Sequence, residues 1–232
     1  MHAEAQTLGT VVVTGGSAGL GAAVVRAVED AGGTPVVLDR QPPANGYEWE
    51  EVDLARPRAA EVAVRRVTER HGGLDAVVTC AGVDACGDLG DVDAEGWERV
   101  IMVNLIGTAA VVRAALPALE ESRGRVVTVA STLGVRALPA ATAYCASKFG
   151  VVGFTRALAA ETQDRIGVTL LLPGGMDTTF FDGRPENFKP APGQLLNDPR
   201  DVARSVVFAL RQPPGVELRE LLVTPAGEPS WP

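Results

Sequence analysis

Tyr144 and Lys148 stand four residues apart in Tyr144-Cys145-Ala146-Ser147-Lys148, with Ser131 thirteen residues upstream. Four residues are about one helical turn, so phenol and ammonium share a helix face. Tyrosine by itself is a poor base at neutral pH, its ordinary pKa being about 10. Bringing it to about 7 takes roughly 4 kcal/mol of preferential phenolate stabilisation. A neighbouring ammonium contributes to that by Coulomb attraction. A hydroxyl such as that of Ser131 can hold the same substrate oxygen and stabilise charge developing on it. Together these three side chains suit proton transfer at an oxygen without a metal. The histidines are His2 and His71, in a tail and at a helix-to-strand boundary, which argues against a histidine-based triad. Of 21 basic residues only Lys148 and Lys189 are lysines. At position 148 the rigid guanidinium fork would replace a compact point charge poorly.

These groups need a scaffold, and apolar runs alternate with amphipathic ones along the chain. Strands are expected at Thr10 to Thr14, Thr34 to Leu38, Tyr47 to Val52, Leu74 to Thr79, Arg125 to Ala130, Val168 to Leu172 and Glu220 to Val223. Helices are expected at Leu20 to Ala31, Arg56 to Arg70, Asp93 to Glu120, Ala141 to Thr162 and Asp198 to Arg211. Asn104 falls inside the third helix. Alternation of this kind implies an α/β fold, a doubly wound parallel sheet of about seven strands with helices on both faces. Ligands in such sheets bind beyond the strand C-termini, where Ser131 and the glycine-rich turn Thr14-Gly15-Gly16-Ser17-Ala18-Gly19-Leu20-Gly21 both fall. A turn of this kind lets the backbone approach a pyrophosphate at a helix N-terminus. Asp39 closes the second expected strand, where a carboxylate can accept ribose hydroxyls and repel a 2′-phosphate; adjacent Arg40 could instead hold that phosphate.

At 232 residues the chain fits one domain spanning 1–232. A net charge of −8 argues against a nucleic-acid partner. No leader and no run of 18 apolar residues is read, so neither signal peptide nor membrane partner is expected. Cys80, Cys86 and Cys145 lack metal-ligand spacing and read as reduced thiols of a cytoplasmic protein, with no metal site.

In order and spacing, the glycine turn, Asn104, Ser131, Tyr144 and Lys148 resemble the short-chain dehydrogenase/reductase family over nearly the whole chain. The resemblance implies a Rossmann fold and hydride exchange between a nicotinamide cofactor and a secondary alcohol or ketone. In that reading Tyr144 is the general acid/base, Ser131 orients the substrate oxygen, Lys148 binds the nicotinamide ribose, and Asn104 holds a water linking Lys148 to solvent. The cofactor would be held by Thr14, Gly15, Ser17, Ala18, Gly19, Leu20 and Gly21, then by Asp39 and Arg40, with Asp53 and Leu54 at the adenine. Where the family usually has Asn-Asn-Ala-Gly, this chain has Thr79-Cys80-Ala81-Gly82. Cys80, Ala81 and Gly82 would line the ribose path without the Asn hydrogen bonds. Pro173, Gly174, Met176 and Thr178 resemble the family's Pro-Gly-x-x-x-Thr, which flanks the nicotinamide carboxamide. Asp39 favours NAD(H), with NADP(H) the alternative. Residues 177–197 would be a substrate lid, in which Phe180, Phe181 and Phe188 exclude water and Arg184 or Lys189 pairs with an anionic group. Thr132, Leu133, Arg136, Leu138 and Cys145 would form the opposite wall. The C-terminal stretch resembles 3-hydroxy acid and serine dehydrogenases loosely. Family members assemble as homotetramers or homodimers through the helices bearing Asn104 and Tyr144. The rival reading is a catalytically silent NAD(P)H-binding regulator or scaffold.

Overall fold

A computed structural model describes residues 7–228 and 231; His2 lies outside the described residues. Seven strands form one parallel sheet in the order β3-β2-β1-β4-β5-β6-β7. They are β1 (Thr10–Thr14), β2 (Thr34–Asp39), β3 (Trp49–Glu51), β4 (Ala76–Thr79), β5 (Arg125–Val129), β6 (Gly167–Pro173) and β7 (Glu220–Val223). The helices are α1 (Gly19–Asp30), α2 (Pro57–His71), α3 (Ala94–Ile101), α4 (Thr108–Ser122), α5 (Thr142–Glu161) and α6 (Pro199–Leu210).

Successive strand side chains point to opposite faces, so the β-branched runs feed two separate cores. Val12, Val36, Val77, Val126 and Val168 pack beneath α2, α4 and α5. Val11, Val13, Val37, Val78, Val127 and Leu171 pack beneath α1 and α6. Near-continuous burial on both faces explains why these strands read as unbroken apolar runs rather than as alternating ones.

The expected helix Asp93 to Glu120 is interrupted. Met102–Gly107 forms a π-helical turn between α3 and α4, and Asn104 sits within it. Asp93 caps α3 by accepting the Gly96 N–H at 2.7 Å. Across Ala94–Ser122 the helical run is 29 residues long, with an apolar window of mean hydropathy 1.8 that is 50% buried. By length and composition it could cross a membrane; here its apolar side packs on α2, α5, β4 and β5.

The connections run one way from β1 through β2 to β3 and the other way from β4 to β7, which opens a crevice at the C-terminal ends of β1 and β4. Every motif singled out in the sequence converges on that edge or directly behind it.

Candidate active site

One continuous cavity of about 910 Å³ runs along the crevice from the N-terminus of α1, past Tyr144, to residues 179–196. At its first end the backbone approaches closely. Gly15 leaves β1 at φ +68°, and a Cβ there would stand 2.7 Å from the Ala81 Cα. A Cβ on Gly21 would lie 2.0 Å from the Gly15 carbonyl oxygen. Only glycine lets β1, α1 and the chain leaving β4 meet this tightly. Ala18, the N-cap of α1, offers no side chain to the first-turn N–H groups, and that turn holds no acidic residue. Gly15, Ser17, Ala18, Gly19, Leu20 and Gly21 all line the cavity there. The donors and the positive end of the helix dipole fit the phosphates of a dinucleotide. Thr14 lies behind this wall rather than on it: it is fully buried, and its hydroxyl accepts the Ala81 N–H at 3.1 Å.

Asp39 ties the exit of β2 to the glycine turn. Its carboxylate accepts N–H groups from Ser17 at 3.1 Å, Arg40 at 2.6 Å and Gln41 at 3.2 Å. Arg40 beside it is exposed, and both line the cavity. Asp53 also reaches the wall, next to Leu54, and its carboxylate takes Arg99 Nη2 at 3.1 Å and the Ala55 N–H at 3.0 Å. Burial pulls the Asp53 pKa upward, yet these donors and the nearby guanidinium charges outweigh it and hold the group below the usual carboxylate range.

The departure at Thr79-Cys80-Ala81-Gly82 has a visible consequence. Thr79 is 2% exposed, and its hydroxyl oxygen is buried with no hydrogen-bond partner among the described residues. Cys80, Ala81 and Gly82 line the cavity. Burial pushes the Cys80 thiol up to about 12, so it is a neutral packing group and not a redox thiolate.

Asn104 is 1% exposed and off the cavity wall. Its Oδ1 accepts the Val83 N–H at 2.8 Å, while Nδ2 donates to the Val83 carbonyl at 2.9 Å and to Ser147 Oγ at 3.0 Å. Asn104 and Lys148 flank Gly82, where a Cβ would be 3.7 Å from both Asn104 Oδ1 and Lys148 Nζ. The side-chain amide of Asn104 thus anchors the chain that leaves β4.

Ser131 follows β5, and its Oγ accepts the Leu133 N–H at 3.1 Å. Tyr144, in the first turn of α5, and Ser131 both line the cavity. Burial pushes the Tyr144 phenol well above its ordinary value; the Ser131 hydroxyl opposes this, Asp84 adds to it and Arg184 counters. Lys148 is 4% exposed, donates to the Val129 carbonyl at 2.9 Å, and sits with Nζ 5.6 Å from the Tyr144 ring centroid. Burial brings its own pKa down to about 8. Desolvation thus acts against the charged forms of both Tyr144 and Lys148.

After β6, Pro173, Gly174, Met176 and Thr178 reach the wall. This loop is fixed from the far end of the chain: Glu228, 8% exposed, accepts the Gly175 N–H at 3.0 Å. Residues 177–197 form a loop closed at its base, where Asp177 N–H donates to the Asn197 carbonyl at 2.9 Å and Asn197 N–H to that of Gly175 at 2.8 Å. Phe180, Phe181, Arg184, Phe188 and Lys189 line the cavity, and the Phe180 ring centroid lies 5.7 Å from that of Tyr144. Arg184 and Lys189 are already paired, with Asp84 and Glu186 respectively. On the opposite wall Thr132, Leu133 and Leu138 are present. Arg136 instead stacks over Trp231 at the surface, and Cys145 is buried within the fold. The sequence reading missed Asp84 and Glu228. Asp84 follows Gly82 at the sheet edge and so carried a positional signal; Glu228 carried none.

The model of the short chain dehydrogenase family matches residues 9–188. L-fucose dehydrogenase of Mus musculus is 32% identical over 94% of this chain and 88% of its own length. Glycine betaine reductase of Emericella nidulans is 32% identical over 94% of this chain, which spans only 19% of that protein. Among solved structures, an alcohol dehydrogenase from the archaeon Thermococcus sibiricus, complexed with 5-hydroxy-NADP, superposes with a TM-score of 0.82 at 26% identity, covering 92% of this chain and 95% of the other. The chain belongs to the short-chain dehydrogenase family. It is an oxidoreductase of that family with a nicotinamide-cofactor site.

Proposed function

We propose that the protein interconverts a secondary alcohol and a ketone, with NAD(H) as the preferred cofactor. One observation carries the reading: the side chains of Ser131 and Tyr144 line the same cavity that begins at the uncapped N-terminus of α1.

A bound nicotinamide supplies the hydride for reduction, or accepts it in oxidation. The chain does the rest. Gly15, Ser17, Gly19 and the first turn of α1 hold the phosphates, Asp39 the adenine-side ribose, and Thr178 with the loop after β6 the carboxamide. In reduction, the Ser131 and Tyr144 hydroxyls would donate to the substrate oxygen, and Tyr144 would pass its proton to that oxygen. Lys148, with a pKa of about 8, is placed to offset the phenolate charge and to exchange protons near neutral pH. Asn104 positions Val83 and hence Gly82 between itself and Lys148. Phe180 over Tyr144 excludes water from the reacting oxygen.

The Asp39 carboxylate supports NAD, since a 2′-phosphate would meet it at close range. Exposed Ile106 in the π-helical turn and Phe149 on α5 support assembly as a homodimer or homotetramer through that face, and three free thiols support a cytoplasmic setting. Fluorescence titration with NADH and NADPH, followed by a panel of ketones and alcohols, tests the reading. Tighter NADH binding, and turnover that falls about 10²–10⁴-fold in Tyr144→Phe with NADH affinity kept, is expected. Turnover surviving that substitution would remove Tyr144 from the chemistry. Asp39→Ala should move preference toward NADPH, and an unmoved preference would assign the choice to Arg40 or another group.

A further inference from the structure

The substrate end of the cavity holds a charge pair that the chemistry at Tyr144 does not use. Asp84, in the segment leaving β4, is only 9% exposed in its side chain, and Arg184, from the loop 177–197, 16%. Arg184 Nη2 donates to Asp84 Oδ2 at 2.8 Å. The same oxygen takes the Cys86 thiol at 3.2 Å, and Oδ1 takes the Ala85 N–H at 2.7 Å. The guanidinium carbon lies 4.7 Å from the ring centroids of both Phe180 and Phe181. Phe180 in turn stands 5.7 Å from Tyr144. One aromatic ring separates a neutralised, largely desolvated ion pair from the reacting oxygen.

Such a pair selects by charge. A substrate carboxylate drawn to Arg184 meets Asp84 already in place, and displacing Asp84 would leave a buried carboxylate unpaired. A substrate ammonium drawn to Asp84 meets Arg184 in the same way. An uncharged carbonyl compound with apolar flanks pays neither penalty and gains the phenyl walls. Lys189 is paired with Glu186.

We propose that Asp84 and Arg184 are a specificity-determining pair whose mutual neutralisation makes the substrate end of the cavity select uncharged carbonyl compounds and alcohols against their anionic and cationic analogues. It rests on the oxidoreductase reading above and replaces the expectation that Arg184 or Lys189 recruits an anion; it also points away from hydroxy acids as substrates.

The test is calorimetric binding of three matched probes, benzyl alcohol, benzoate and benzylammonium, to the protein with and without NADH. The wild type is expected to favour benzyl alcohol over both ions by about tenfold or more. Asp84→Asn leaves Arg184 uncompensated and should shift the benzoate-to-alcohol affinity ratio toward benzoate by about tenfold. Arg184→Gln should shift the benzylammonium ratio by a similar factor, and the double variant should return to the neutral probe. Far-UV circular dichroism checks folding; if a single variant fails to fold, the wild type and the double variant still decide. Equal wild-type affinity for benzoate and benzyl alcohol overturns the proposal, as does binding of none of the probes or an unmoved ratio in a folded single variant. NADH fluorescence in the same samples separates the two readings. Charge selection without NADH binding sinks the NAD(H) reading alone, and NADH binding without charge selection sinks this one alone.

Discussion

Asn104 holds Val83 by both of its backbone polar groups, accepting the N–H at 2.8 Å and donating to the carbonyl at 2.9 Å. In the fold its side chain is the peg that fixes the chain leaving β4. Its π-helical turn widens the helix locally, a distortion often found at functional sites. Asn104→Ala should leave buried polar groups of Val83 unpaired, at about 1–3 kcal/mol for each orphaned group. Thermal unfolding should fall by about 2–4 °C per kcal/mol lost, together with turnover. An unchanged Tm would show that Val83 finds other partners.

The phenol of Tyr144 is raised by burial, so its protonated form persists through neutral pH. Reduction needs that form and oxidation needs the phenolate. Oxidative kcat/KM should therefore climb with pH, about tenfold per unit below the pKa, while reduction stays level until alkaline pH. The Ser131 hydroxyl acts to lower the Tyr144 pKa, so Ser131→Ala should displace the oxidative limb toward higher pH. Parallel profiles of both directions check this, and an unshifted limb in Ser131→Ala would place the titration elsewhere.

Lys148 carries a stability penalty with a defined pH window. Its pKa is about 8 when folded against 10.5 for the ordinary group, so between those values the unfolded chain binds more protons. Stability from this group rises with pH across that window and is lowest below pH 8. Lys148→Met removes the buried ammonium and, despite losing the bond to Val129, should unfold at higher temperature than the wild type at pH 7. The difference should shrink toward pH 10. An advantage that grew with pH would reverse the assignment.

Thr79 buries a hydroxyl without a partner at the position where the family resemblance expects an amide. Thr79→Val keeps the shape and removes the unmet polar atom, so it should be neutral or stabilising by about 1 kcal/mol. Chemical denaturation measures it. A loss above that size would mean the hydroxyl is satisfied in solution.

Much of this was legible in the chain because it is local. The glycine turn reads directly since Gly15 and Gly21 answer to backbone contacts at a strand-to-helix junction. Tyr144 and Lys148 read directly since helical spacing puts them on one face. The β-branched runs of β1, β4, β5 and β6 announce strands buried on both sides. Boundaries moved by a residue or two where caps decided them, as when Asp198 proved to be the cap of α6 and not its first residue. The interruption at Met102–Gly107 had no periodic signature, because it is stabilised by side-chain bonds to Val83 and Ser147 from other elements.

The sequence by itself determined the order of strands and helices, the glycine-rich turn and the spacing of Ser131, Tyr144 and Lys148, all of which follow from chain geometry over a few residues. Only the tertiary structure decided that Arg184 meets Asp84, 100 residues away, that Glu228 fixes Gly175, and that Tyr144 holds its proton more tightly than a free phenol. The reason is physical: a charge's partner and the water it loses are properties of the space around it, and that space is assembled from the whole chain.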